Sequence, residues 1–377
     1  MSENTPKRLV IAGVEAIPIR IRLKRVYSGS RYRMTHRSTV VVRITTENGI
    51  VGEAYAGDED TSLLEIVRIV ADEITPAIIG TDAFAIERCW QLARPSTFDI
   101  LRDRRASLVA CALVDTALWD AIGKALDAPL WRLWGGYRSE LPMILIGGYY
   151  GHGDLADEVV EVRALGVAGM KLKVGGAGPK VDAERFRTVR EVAGDDFLIA
   201  ADANQAWTRG EAIEFARLIE GLNLLWFEEP CRWDNDRRDL RDVRMIAGVP
   251  VCAGQSEYSA GGCRDLFEAG AVDFCNFDAS WSGGPTEWRR VAALASVYGV
   301  SMAHHEEPQV SAHLLASIPH GTYVECFHPD RDPIWWNLVA NRPALNDGQL
   351  RLSERPGLGW ELDDDYIEAH RVPNPLH

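Results

Sequence analysis

Apolar and polar positions along the chain fall into two stretches with different rhythms. Up to residue 55 the pattern alternates as in a half-buried sheet. Residues 14–23, 39–45 and 50–54 read as strands, and Glu47-Asn48-Gly49 reads as the hairpin turn between the last two. Residues 62–78, 82–92 and 105–126 then carry apolar residues at helical spacing, and Gly135-Gly136 closes this part. From about residue 140, short apolar strands alternate with helical segments. The predicted strands are 143–149, 169–174, 197–204, 224–230, 250–257, 272–280, 300–305 and 322–327, with seven helices between them. Eight such units without hairpins predict a (β/α) barrel. The expected organisation is an N-terminal α+β domain over 1–135, a barrel over 136–328, and a segment over 329–377 that returns to the first domain.

Composition narrows the class. Of 377 residues, 46% are hydrophobic and 25% charged, the usage of a soluble globular protein rather than a disordered or fibrous one. No uninterrupted apolar run reaches the roughly 18 residues of a membrane span, and MSENTPKRLV has no apolar core of a secretory signal. The seven cysteines include no CxxC pair, so a disulfide framework or zinc site is not expected, and a cytoplasmic location is. The formal net charge of −14 makes nucleic acid and anionic membrane poor partners. An anionic small molecule remains a fitting partner if a local cation overrides that field.

Side chains that do chemistry on such a barrel sit at the C-terminal ends of its strands. Those ends carry Lys171 and Lys173, Asp202 and Asn204, Glu228, Gln255 and Glu257, Asp278, His304 and His305, and Glu325. Residues two apart on a strand share a face, so the two lysines point together, as do Asp202 and Asn204. A single acid at a strand end is ordinarily a helix cap or a surface charge. Three consecutive strands ending in acids are harder to dismiss, because converging carboxylates repel unless a cation sits among them. All-oxygen ligation favours Mg2+, with Mn2+ as the alternative, and Asp202, Glu228 and Glu257 are the expected ligands. A lysine close to a second cation loses its proton more easily and can act as a base. Asp278 and His305 on adjacent strands suit an orienting dyad, whereas His304 reads as a buried, satisfied histidine.

The ordered set Lys171-Leu172-Lys173, Asp202-Ala203-Asn204, Phe227-Glu228-Glu229-Pro230, Asp278 with Gly283-Gly284, His305, Ser311-Ala312-His313-Leu314-Leu315 and Glu325 resembles the mandelate racemase subgroup of the enolase superfamily over nearly the whole chain. The resemblance implies a capping α+β domain, completed by the C-terminal segment, over a (β/α)7β modified TIM barrel. It also implies a homo-oligomer. It makes Asp202 and Glu228 metal ligands, Lys173 the base on one substrate face and Lys171 the neighbour that lowers its pKa. His305 becomes the acid/base on the other face with Asp278 behind it, and Glu325 a hydrogen-bonding acid beside the substrate carboxylate. One position departs from the family pattern. Gln255 stands where the third ligand follows the strand glycine, and Glu257, two residues on, is expected to substitute.

The chemistry implied is removal of a proton alpha to a carboxylate, with the resulting enediolate stabilised by Mg2+. Loss of a β-hydroxyl then makes the protein an acid-sugar dehydratase yielding a 2-keto-3-deoxy acid. Without a leaving group, the same intermediate serves a racemase, epimerase or cycloisomerase. Tyr27, Arg31, Arg33 and His36 are expected in a polar loop between the first two strands. Such a loop suits a polyhydroxylated acid, and Tyr27, Arg31, Asn204 and Gln255 are the expected substrate contacts. A Schiff-base aldolase using Lys171 or Lys173 leaves the acids unexplained. A non-catalytic sugar-acid binder leaves the Lys173, His305 and Asp278 set unexplained.

Overall fold

The computed structural model describes residues 6–373. Three antiparallel strands, β1 (Ile11–Ser28), β2 (Arg33–Thr46) and β3 (Val51–Tyr55), form the N-terminal sheet. β1 and β2 run further than the alternation predicts, with Tyr27 opposite Met34 and Ser28 opposite Arg33. The expected polar loop therefore shrinks to residues 29–32, and Arg33 and His36 lie within β2. Two of the three expected helices shift. Residues 63–78 are helical but pass through a π-helical stretch at Val70–Ile74. The next helix starts at Ile86 because the Asp82 carboxylate is bound to the Leu9 and Phe84 amides.

The sheet packs on helix Arg104–Ala125, which Asp103 caps by accepting the Arg105 amide. This helix is long and apolar enough to cross a membrane, yet most of its surface is buried in the fold. Its two internal acids explain why it stays put. Asp115 accepts the amide and hydroxyl of Thr286, both at 2.8 Å, and Asp120 accepts the amides of Leu358 at 2.7 Å and Glu53 at 2.9 Å. One helix thus ties sheet, barrel and C-terminal segment together through satisfied buried carboxylates.

Eight parallel strands come next. They are β4 (Glu140–Gly147), β5 (Gly169–Lys173), β6 (Leu198–Asp202), β7 (Leu224–Glu228), β8 (Val251–Ala253), β9 (Phe274–Cys275), β10 (Ser301–Met302) and β11 (Val324–Phe327). Neighbours pair in the order β10-β9-β8-β7-β6-β5-β4-β11, and a single bridge from Met302 to Gly321 links the two ends of the curled sheet. Seven helices alternate with the strands, and together they make the modified (β/α)7β barrel. Strands covered on both sides need apolar residues throughout, which is why β5 is buried at all five positions.

The segment after 328 contains more regular structure than its sequence suggests. Strand β12 (Gln349–Arg351) pairs antiparallel with β4, and helix Asp364–His370 lies against β1. The Val372 amide binds the Pro18 carbonyl at 2.8 Å. All seven cysteines are free and buried.

Candidate active site

Strand register assembles the first half of the site. Lys173 lies opposite Asp202, and Asp202 opposite Glu228, so three functional residues form one row across β5, β6 and β7. The Lys173 ammonium donates to Asp202 Oδ2 at 2.6 Å and to Asn204 Oδ1 at 3.1 Å. Lys171, two residues earlier on the same face, lies 2.7 Å from Glu228 Oε1 and 2.6 Å from Glu325 Oε1. All of these groups except Asn204 are buried. The expected cluster of lysines and acids thus comes together, with Asn204 at its edge.

The two lysines repel each other's charge, but the neighbouring acids dominate. The family resemblance makes Lys171 the residue that lowers the pKa of Lys173. Burial does press Lys173 toward the neutral amine, but Asp202 and the phenols of Tyr32 and Tyr149 outweigh it and hold the ammonium well above its usual range. Asp202 is held below the usual carboxylate range because Lys173 and Lys171 overcome the cost of burying it. Glu228 goes the other way. Burial, Asp202 and Glu325 push it up to about 8 in spite of Lys171. Two lysines, Lys171 and Lys173, face three buried carboxylates, Asp202, Glu228 and Glu325, so the cluster is short of positive charge.

Turns rather than strands assemble the second half. β8 ends at Ala253, and residues 254–257 form a tight turn in which the Glu257 amide donates to the Gly254 carbonyl at 3.0 Å. Gly254 sits at φ +138°, where a Cβ would meet Cys275 Sγ at 2.8 Å. The two-residue alternation of a strand does not extend through such a turn. Glu257, expected as the third ligand, is engaged instead by the Arg237 guanidinium at 2.6 Å. Gln255 is the buried residue here. It exchanges two hydrogen bonds with the Asn276 amide, at 3.1 and 3.0 Å. Among the described residues, no three His, Cys, Asp or Glu side chains form a ready ligand set. Two carboxylates in strand register, one of them short of a cation, together with a neighbouring neutral amide are the oxygen donors that fit a hard divalent ion.

His305 is held at both ring nitrogens. Nδ1 lies 2.9 Å from Asp278 Oδ2 and Nε2 3.1 Å from Glu306 Oε1. Burial opposes protonation, but Glu306 and Asp278 prevail and keep the imidazole charged well above its ordinary range. Asp278 is itself fixed by the amide and hydroxyl of Ser280, at 2.8 and 2.7 Å. His304 accepts the Ala279 amide at 3.0 Å and bonds the His305 carbonyl at 2.8 Å, a satisfied core histidine as expected.

The two substrate contacts expected from the N-terminal domain differ in exposure. Arg31 is exposed at the turn, and Tyr27 is buried under it, its hydroxyl bound to Arg25 Nε at 3.1 Å. The residue that reaches the cluster is Tyr32, whose ring centroid lies 5.8 Å from Lys173 Nζ. Alternation in 21–36 contained no signal for it. Sequence reasoning also missed Glu306, Arg331 and Tyr149. Buried Glu229 was missed as well. It is bound by Ser256 at 2.7 Å and Gln205 at 3.0 Å and lies within the electrostatic reach of Asp202 and His305.

Comparison with known proteins matches this layout. A family model for the mandelate racemase / muconate lactonizing enzyme N-terminal domain matches residues 18–135, and one for the enolase C-terminal domain-like fold matches residues 154–366. A mandelate racemase/muconate lactonizing enzyme from a marine actinobacterium, crystallised in complex with magnesium, superposes with a TM-score of 0.93. It is 58% identical over 97% of this chain and 100% of its own. An arabinonate dehydratase from Saccharolobus solfataricus is 28% identical over 88% of this chain and 90% of its own. A 3,6-anhydro-alpha-L-galactonate cycloisomerase from Streptomyces coelicolor is 31% identical over 86% and 89%.

Proposed function

The chain belongs to the mandelate racemase/muconate lactonizing enzyme family of the enolase superfamily, and from that premise we propose that it dehydrates an acid sugar to a 2-keto-3-deoxy acid with Mg2+ bound at Asp202 and Glu228. The observation that carries this reading is a buried lysine and a buried His–Asp dyad, well separated around one rim, with a charge-deficient pair of carboxylates between them. Gln255, buried beyond the end of β8, is the candidate for a third protein oxygen. Asp202 and Glu228 would hold a divalent cation whose positive charge would offset theirs and so relieve the main influence that keeps Lys173 protonated.

The side chains then divide the work. Lys173, aligned by Asn204 and Asp202, takes the proton alpha to the carboxylate. Asp278 fixes the His305 tautomer and orientation, so that Nε2 delivers a proton to the departing 3-hydroxyl. Lys171, bridging Glu228 and Glu325, holds both acids at fixed positions beside the reacting carboxylate. Tyr32 closes the cluster from the N-terminal domain and keeps water from Lys173.

The second reading, isomerisation of a sugar acid, is favoured by the 31%-identical cycloisomerase. One experiment separates the two. Mono- and diacid sugars are incubated with enzyme and Mg2+, and keto products are detected with semicarbazide. A keto product lighter than the substrate by one water, and abolished by EDTA, supports dehydration. A product of unchanged formula, with or without a new keto group, supports isomerisation instead.

A further inference from the structure

Above the Lys173 cluster lies a group of buried polar atoms for which the mechanism has no use. Arg331 comes after β11 and is only 2% exposed. Its Nη2 donates to Asp58 Oδ2 at 2.6 Å, and its plane lies against Phe327, with the ring centroid 4.3 Å from Cζ. Among the described residues, its Nε and Nη1 have no partner. The same holds for the buried Tyr149 hydroxyl and for Glu306 Oε2. These groups are neighbours. Tyr149 packs in one cluster with Phe327, the ring against which Arg331 lies, and the Tyr27 ring lies 5.1 Å from that of Tyr149 and 5.9 Å from Arg331 Cζ. Asp58 joins Arg331 to Arg37 and so to Glu307, the residue after Glu306. Buried donors and acceptors left without partners cost about 1–3 kcal/mol each, so a ligand that satisfies them is expected.

We infer that Arg331, Tyr149 and Glu306 form the subsite for the distal hydroxyls of the substrate, and that this subsite selects a monoacid sugar over a diacid. The inference rests on the acid-sugar reading above and deepens it. A guanidinium edge donates, a carboxylate oxygen accepts and a phenol does either, which matches the alternating demands of neighbouring hydroxyls. A second carboxylate fits badly, because the charge of Arg331 is already met by Asp58. The other guanidinium in this network, Arg37, is shared among Asp58 at 3.2 Å, Glu307 at 2.8 Å and Asp332 at 3.0 Å. A diacid would bring a further negative charge against Glu306 and Asp58, whose cationic partners are already engaged, and like charges in a desolvated site discriminate strongly.

The test compares six-carbon aldonates with the aldarates of the same configuration, gluconate with glucarate and galactonate with galactarate, on the full chain with Mg2+. The pairs differ only at the distal carbon. The expected result is a kcat/KM at least about tenfold higher for the monoacid in the better pair. That ratio should fall several-fold in Glu306→Gln, where any common loss through His305 cancels. Tyr149→Phe, which removes one hydroxyl, should raise KM for the aldonate several-fold. Aldarates turned over as well as or better than aldonates would overturn the inference and leave the dehydratase reading standing. An unchanged ratio in Glu306→Gln would remove Glu306 from the subsite. Silence toward both acids, in keto product and in exchange of the alpha proton, would overturn the parent reading itself.

Discussion

The two arcs of the barrel rim are built by different rules. From β5 to β7 the strands are five residues long, pair in register, and present Lys173, Asp202 and Glu228 as one row. From β8 to β10 the strands shrink to two or three residues, and the functional groups ride on the turns beyond the strand ends. Gln255 and Glu257 sit in a turn, and Glu306 and Glu307 adopt left-handed backbone at φ 53° and 46°. Such conformations are costly for residues with a Cβ and persist where the surroundings over-determine them. Here the Glu306 amide donates to Glu325 Oε2 at 3.1 Å, and its side chain seats on His305. The first arc is a rigid ladder that gathers charge. The second is a set of braced turns that aims an acid and shapes the space around it.

Lys173→Ala tests the first arc and has the largest expected effect. Turnover should fall by about 10³-fold or more, while Mg2+ affinity measured by calorimetry holds or rises, because Asp202 loses a competing ammonium. Turnover within tenfold of the parent would remove Lys173 from proton transfer. Asp278→Asn probes the second arc. Loss of the carboxylate lowers the His305 pKa, so the alkaline limb of the kcat profile should move to lower pH and kcat should fall by about 10²-fold. An unmoved profile with unchanged kcat would reject the dyad.

A smaller effect sharpens the boundary between the arcs. Gln255→Ala should weaken Mg2+ binding about tenfold, and Glu257→Gln should leave it within about twofold, because Glu257 is spent on Arg237. The reverse order would return the third ligand to Glu257.

An effect on stability rather than on activity lies at the seam outside both arcs. His313 accepts the Trp131 amide at 3.2 Å and bonds the Leu358 carbonyl at 2.8 Å, which requires the neutral ring. Burial lowers its pKa from 6.5 to about 4. Between those values the unfolded chain binds the extra proton, so this residue should make stability fall as pH drops from 6.5 toward 4, by on the order of 3 kcal/mol. Chemical denaturation should show that slope flattened in His313→Gln.

The same contrast explains what was legible in the sequence. Strand periodicity located Lys171, Lys173, Asp202 and Glu228 because the ladder there obeys it, and the order of motifs supplied His305, Asp278 and Glu325. Extending the two-residue rule past Ala253 misplaced Glu257, because Gly254 turns the chain. Tyr32, Tyr149 and Arg331 were invisible for another reason. They meet only when β1–β2, the end of β4 and the loop after β11 converge, and no local pattern encodes a contact between segments so far apart in the chain. The polar stretch near residue 30 read as a long loop because its charged residues mask two strands whose outward faces are wet.

The proposed division of work, with Lys173 removing the proton alpha to the carboxylate and His305 as the acid, is best put to the test by proton NMR of an acid-sugar substrate in D2O with Mg2+. The parent enzyme should replace the alpha proton by deuterium or lose it on the way to product. The Lys173→Ala, His305→Asn double variant should do neither, although it remains folded and binds Mg2+. Exchange that continues at the parent rate in the double variant would contradict the assignment of both residues.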